Sequence, residues 1–288
     1  MNRPDTVAHR FASHYLRLLG REIHYTDWGA PDAPVVIAWH GLARTGRDMD
    51  EIAHALSTRH GFRVICPDTI GRGLSQWSPV PDQEYTLDFY ARLGVALMDA
   101  LALPTVRWVG TSMGGAVGIA VAGGTQGDRI TRLVLNDSGP ELAAAAVARI
   151  RAYAGQPPAF ATLGELEAFY RSVYAPFGYL SDREWTKLAE TSMRRLPDGR
   201  VTPHYDPAIV RQFERQPDDY LLWSAWDRIA CPVLCLRGAT SDLLLPPVCD
   251  AMRDRGPRAE VLEVAGCGHA PALNVPEQLD PVAAFLSR

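Results

Sequence analysis

The pentapeptide Gly110-Thr111-Ser112-Met113-Gly114 sets a serine at the centre of a small-residue turn. A serine hydroxyl is a weak nucleophile until a base takes its proton, and it must stand clear of the backbone to reach a carbonyl carbon. A sharp strand-to-helix turn provides that exposure. It crowds the chain, so small residues are needed two before and two after the serine, here Gly110 and Gly114. The pentapeptide alone also occurs by chance in glycine-rich loops, so its surroundings decide. The apolar run Val106 to Val109 precedes it and a Gly/Ala-rich helical stretch follows, the context such a nucleophile turn requires. The chemistry in view is attack of Ser112 on an acyl carbon.

The elements that would position this turn follow a regular rhythm. Tyr15 to Trp28 reads as two short strands about Gly20, a hairpin at a sheet edge. Val35-Val-Ile-Ala-Trp39 is a continuous apolar run, as in a strand buried on both faces of a parallel sheet. Helical Met49 to Leu56 leads to a strand at Arg63 to Cys66, helical Thr86 to Leu101 to a strand at Thr105 to Val109, and the helix after Ser112 to Ile130 to Leu135. Such alternation predicts an α/β fold with a mostly parallel sheet flanked by helices. Between about 140 and 223 the pattern is helical, with no convincing strand; Leu166, Phe169, Tyr170, Val173 and Tyr174 follow helical spacing. Strands return at Pro232 to Leu236 and Val261 to Val264, and Pro276 to Leu286 reads as a closing helix. The expected organisation is a core of residues 1–139 and 225–288 with a helical cap inserted at 140–224.

Composition narrows the classes. The 288 residues are 47% hydrophobic and 22% charged, ordinary for a globular chain, with a net charge of −4 and dispersed basic residues. Nucleic acid is therefore not an expected partner. Trp108 to Gly127 is twenty residues without a charge, but its glycines and Thr111, Ser112, Thr125 and Gln126 fit a strand, turn and packed helix better than a membrane span. Met1 to Arg10 has no apolar stretch of the secretory kind. The five cysteines include no CxxC pair and read as free thiols in a reducing compartment, which places the protein in the cytoplasm.

Four separated stretches together resemble the α/β-hydrolase superfamily across nearly the whole chain. His40-Gly41-Leu42 resembles its oxyanion loop, and Asp68-Thr-Ile-Gly71-Arg-Gly73-Leu-Ser75 its D-x-x-G-x-G-x-S loop. Gly110 to Gly114 resembles its nucleophile elbow, and Ser241-Asp242 with Gly268-His269 its acid and base positions. The order Ser, Asp, His along the chain is the superfamily's own. The resemblance implies that Ser112 attacks, His269 takes and returns the proton, and Asp242 orients the imidazole. The backbone N–H groups of Leu42 and Met113 would bind the oxyanion, each worth roughly 3 kcal/mol in comparable enzymes, with Gly41 allowing close approach. No metal or organic cofactor is required.

Competing assignments bear on four residues. Asp137 also follows a buried strand, and some relatives carry the acid there; the preferred role for it is to bind backbone amides at the start of the insertion. His40 is expected to hold the oxyanion loop by hydrogen bonds, and Asp68 to accept from loop amides. Cys267 reads as a small buried side chain.

A serine at the elbow excludes the haloalkane dehalogenases and epoxide hydrolases of the superfamily, which use a carboxylate there. Carbon–carbon hydrolases of meta-cleavage products typically carry Trp after the histidine, where Ala270 stands here. The expected function is a carboxylic ester hydrolase acting on a small or medium acyl substrate, short hydroxyalkanoate oligomers being one concrete case. An enol-lactonase, a carbon–carbon hydrolase and, further off, a triad-bearing small-molecule receptor are the alternatives. The expected substrate is a small-molecule ester or lactone, with no membrane partner. The rate should fall at acid pH as His269 protonates.

Overall fold

A computed structural model describes residues 11–288; the expectation that Met1 to Arg10 holds no secretory signal lies outside the described residues. The hairpin at the sheet edge is formed by β1 (Phe11–Leu18) and β2 (Arg21–Trp28), antiparallel about the Gly20 turn. The alternating units follow: β3 (Val35–Trp39), α1 (Asp50–Arg59), β4 (Arg63–Pro67), a short α2 (Pro81–Glu84) and α3 (Leu87–Ala100). Then come β5 (Val106–Thr111), α4 (Met113–Ala122) and β6 (Ile130–Asn136). Eight strands make one sheet in the order β1-β2-β4-β3-β5-β6-β9-β10, with β9 (Val233–Gly238) and β10 (Glu260–Val264) completing it after the insertion. From β4 to β10 every pairing is parallel.

The insertion contains α5 (Ala144–Ala154), α6 (Leu163–Val173) and α7 (Asp182–Thr191). It also holds a feature the sequence did not predict: the two-stranded ribbon β7 (Met193–Arg195) and β8 (Val201–Pro203). Three residues per strand are too few to register as an alternation. The one-turn helices α8 (Gln212–Arg215) and α9 (Trp223–Trp226) lead back to β9, and α10 (Pro246–Asp254) and α11 (Pro276–Ser287) flank the last strands. In this segment the aromatics Tyr170, Tyr174 and Trp185 form a small core of their own with Leu166, Ala189 and Val201.

Two apolar layers lie on the two faces of the sheet, because β3, β6 and β9 are buried along nearly their whole length. Trp39 of β3 and Trp108 of β5 stack in one of them with centroids 5.2 Å apart. Neither indole N–H is left unpaired. Trp39 donates to Thr69 Oγ1 at 2.8 Å, and Trp108 donates to the carbonyl of Gly114 at 2.9 Å. Gly118 makes room for this stack, since a Cβ there would lie 2.8 Å from Trp108. The uncharged stretch that begins at Trp108 is thus β5, the turn and α4, and no helix among the described residues is long and apolar enough to cross a membrane.

The chain moves from β3 to β4 on one side and then crosses to β5 on the other. A crevice opens beyond the strand ends at such a reversal, where open α/β sheets bind ligands. Trp108→Ala should lower the unfolding free energy by about 3–5 kcal/mol, because a fully buried indole is lost and its cavity cannot collapse. Urea unfolding measures it; a loss below about 1 kcal/mol would mean the stack contributes little.

Candidate active site

The strand register builds the site. Gly110 of β5 lies opposite Trp39 of β3, Thr111 opposite Asn136 of β6, and Asn136 opposite Leu236 of β9. Consequently His40 to Leu42, Ser112, Asp137 and the segment after Gly238 emerge side by side at one edge.

Ser112 sits at the turn from β5 into α4 with φ 53° and ψ −116°, a conformation that L residues rarely adopt. The neighbours that permit it are those the motif predicts. A Cβ on Gly110 would fall 2.2 Å from the carbonyl oxygen of Gly114, and one on Gly114 would fall 2.2 Å from that of Trp39. The Ser112 amide donates to the carbonyl of Asn136 at 3.0 Å, which ties the turn to β6.

Ser112 Oγ donates to His269 Nε2 at 2.9 Å, and His269 Nδ1 donates to Asp137 Oδ2 at 2.6 Å. The acid at the histidine is therefore Asp137 and not Asp242, which corrects the sequence-based assignment. Asp137 follows β6 directly and its side chain is fully buried, whereas Asp242 lies four residues beyond β9 on a turn that carries it outward. There Asp242 is half-exposed and paired with Arg149 of α5, at 2.8 Å. Asp137 also binds backbone, the role preferred for it, but at the end of β9 and not at the start of the insertion: Oδ1 accepts from the Gly238 amide at 2.9 Å. Ser241 Oγ donates to Oδ2 at 2.6 Å. Asp137 holds φ 50°, a left-handed conformation for which Asp is better suited than most residues.

The loop carrying His269 is held from several sides. Asn136 Nδ2 donates to the carbonyl of Pro271 at 2.8 Å, the Gly268 amide to Pro176 of the insertion at 2.7 Å, and the Thr240 amide to Cys267 at 3.0 Å. Gly238 allows this contact, because a Cβ there would meet the Gly268 carbonyl oxygen at 2.1 Å. Cys267 is buried, and burial pushes its thiol up, away from the reactive thiolate.

Opposite the elbow, His40 Nδ1 donates to the Gly41 carbonyl at 2.6 Å, and Nε2 accepts from the Thr69 amide at 3.0 Å. Both ring nitrogens are thus occupied by backbone. Burial pushes the imidazole down to about 4, so the neutral ring is the one the fold requires. Gly41 is less constrained than expected: a Cβ there would lie 3.7 Å from Ser112 Cβ, an ordinary contact, but would stand in the space beside that serine. The amides of Leu42 and Met113 make no backbone hydrogen bond among the described residues, and Met113 opens α4, where amides have no preceding turn to bond to. Asp68 takes amide protons from Gly46 at 2.6 Å and Leu74 at 2.9 Å and a ring proton from His24 Nδ1 at 2.8 Å. It anchors the loop behind His40 to Leu42 through these partners.

Ser112 and His269 open into a cavity walled by Gly41, Leu42 and Arg44 of the core and by Ile150, Tyr153, Tyr174 and Phe177 of the insertion. Part of the aromatic content of the insertion therefore faces the site, a division that sequence could not make. Arg44 is buried there, paired bidentately with Asp48 at 2.6 and 2.7 Å and flanked by the rings of Tyr170 and Tyr174.

The low affinity of His40 for protons has a measurable consequence. An unfolded histidine binds its proton near pH 6.5, so between there and about pH 4 only the unfolded state is protonated at this position, and stability falls as pH falls through that window. Ring ¹⁵N NMR should find His40 neutral at about pH 5.5; a protonated ring there would contradict the hydrogen-bond assignment.

Comparison with known proteins identifies the family. Residues 35–284 match the family model described as the alpha/beta hydrolase family. The chain is 38% identical over 265 residues to the 3-hydroxybutyrate-oligomer hydrolase of Cupriavidus necator, covering 88% of this chain and 89% of that one. Among solved structures, an alpha/beta hydrolase from Novosphingobium aromaticivorans superposes with a TM-score of 0.85 at 30% identity, covering 96% of this chain and 98% of that one. A hydrolase described as putative from Rickettsia typhi gives 0.87 at 26%, with the same coverage. A serine turn at the sheet reversal, a histidine beside it and a family match that takes in every strand of the sheet from β3 onward lead to one conclusion: the chain belongs to the alpha/beta hydrolase family.

Proposed function

We propose that this hydrolase cleaves carboxylic esters through an acyl-enzyme on Ser112, with His269 as base and acid, Asp137 as its partner, and short oligoesters of hydroxyalkanoic acids as substrates. The observation that carries the reading is the chain of two hydrogen bonds, 2.9 Å from Ser112 to His269 and 2.6 Å from His269 to Asp137. In the first half-reaction Ser112 Oγ adds to the ester carbonyl as its proton passes to His269 Nε2. The tetrahedral intermediate then expels the alkoxide, which takes that proton. A water molecule, deprotonated by the same nitrogen, adds to the acyl carbon, and collapse returns Ser112 and the free acid. The negative oxygen of both intermediates would be received by the Leu42 and Met113 amides. The segment 140–224 acts as a cap, supplying one wall of the cavity. The substrate class is supported by the 3-hydroxybutyrate-oligomer hydrolase relative, which matches over 88% of this chain.

Hydrolysis of p-nitrophenyl esters from acetate to long acyl chains, and of a hydroxybutyrate dimer, tests the reading. Turnover should be lost in Ser112→Ala. Asp137→Asn should reduce kcat by about 10³–10⁴-fold, as removing the charge that fixes the histidine tautomer does in other triads. Asp242→Asn should keep kcat within about threefold, since an exposed ion pair is worth about 1 kcal/mol or less. A collapse in Asp242→Asn with Asp137→Asn still active would return the acid to Asp242. Ser112-independent turnover would remove the acyl-enzyme altogether.

A further inference from the structure

We infer that Arg149 receives a free carboxylate on the alcohol side of the substrate, exchanging Asp242 for it. This deepens the proposed function and rests on it. Arg149 lies on α5 with Ile150 and Tyr153, and all three line the cavity that holds Ser112 and His269. Its guanidinium already grips a carboxylate in the two-pronged manner that suits this group. Nε donates to Asp242 Oδ2 at 3.0 Å and Nη2 to Oδ1 at 2.9 Å. Asp242 itself is not part of the cavity lining. A substrate therefore meets Arg149 from the inside while Asp242 holds it from the outside.

The pair is built to let go. Its side chains are 47% and 53% exposed, and solvent-exposed ion pairs are weak, so a second carboxylate competes on nearly equal terms. The other cations of the lining are committed more deeply. Arg44 is paired with Asp48, at 6% and 17% exposure, and Arg47 and Lys187 converge on Asp50, at 1%. Drawing any of these onto a substrate would take a partner from a buried or nearly buried carboxylate, which costs far more. Among these cations Arg149 is the one that changes partner cheaply.

Chemistry then says which part of the substrate it reads. In a linear oligoester of hydroxyacids the one free carboxylate belongs to the terminal unit, and that unit lies on the alcohol side of every ester bond. An arginine that recognises it would favour free oligomers over chains whose carboxyl end is blocked, and would help place the leaving hydroxyacid.

The test compares a hydroxybutyrate dimer with the same dimer ending in a primary amide, which keeps the shape and removes the charge. The quantity read is the ratio of kcat/KM for acid over amide. Arg149→Gln should lower that ratio about tenfold, while Asp242→Asn should hold or raise it, because the cation remains and its competitor is gone. A role for the pair only as a strap between α5 and the core predicts that both variants lower the ratio alike, and that result would overturn the inference. An equal fall for both substrates in Arg149→Gln would overturn it too. If wild type cleaved both dimers, but cleaved them equally, only this inference would fall. If it cleaved neither in a Ser112-dependent way, the ester-hydrolase reading would fall first and carry the inference with it.

Discussion

One buried carboxylate holds three parts of this chain together. Asp137 leaves the end of β6 with no solvent exposure and accepts from the Gly238 amide at the end of β9, from Ser241 in the following turn, and from His269 in the last loop. An ion in that position is tolerable only because donors surround it. Those donors come from segments about a hundred residues or more further along the chain. Its hydrogen bonds therefore fix where the histidine loop lies relative to the elbow. Replacing the carboxylate by an apolar group of similar size would leave the Gly238 amide and Ser241 buried without an acceptor, so the oxygens that hold His269 also hold the end of β9.

The elbow answers from the neighbouring strand. Ser112 is strained at φ 53°, and the strain is held by a close fit: Gly114 against the Trp39 carbonyl, Gly110 against Gly114, and Trp108 donating to the Gly114 carbonyl. Strain at such a point persists only where the surroundings over-determine it. Here that is done by the core stack of Trp39 on Trp108, so the packing of the sheet and the placement of Ser112 are one arrangement.

Much of this was legible in the sequence, for identifiable reasons. Continuous apolar runs such as Val35 to Trp39 and Leu133 to Leu135 mark doubly covered strands, and the glycines around Ser112 mark a turn that little else explains. His269 was legible from its place after the last strand. The acid was not, because Asp137 and Asp242 both follow buried strands and sequence gives no lateral distances. The signal available was register: Asp137 follows β6 immediately, as Ser112 follows β5, while three residues separate Asp242 from the end of β9. The β7–β8 ribbon escaped for another reason, since three-residue strands carry no period. Which aromatics face the cavity and which fill the insertion's own core depended on tertiary packing, as Tyr153 and Trp185 illustrate: the first lines the cavity and the second packs inward.

The central claim is that Ser112 becomes covalently acylated. Rapid acid quenching during turnover of a p-nitrophenyl ester, followed by peptide mass spectrometry, tests it most directly. The account predicts an acyl adduct on the peptide containing Ser112, accumulating with a burst of p-nitrophenol when deacylation is slow. Turnover with no adduct at any time, or an adduct on another residue such as Cys267, would contradict it.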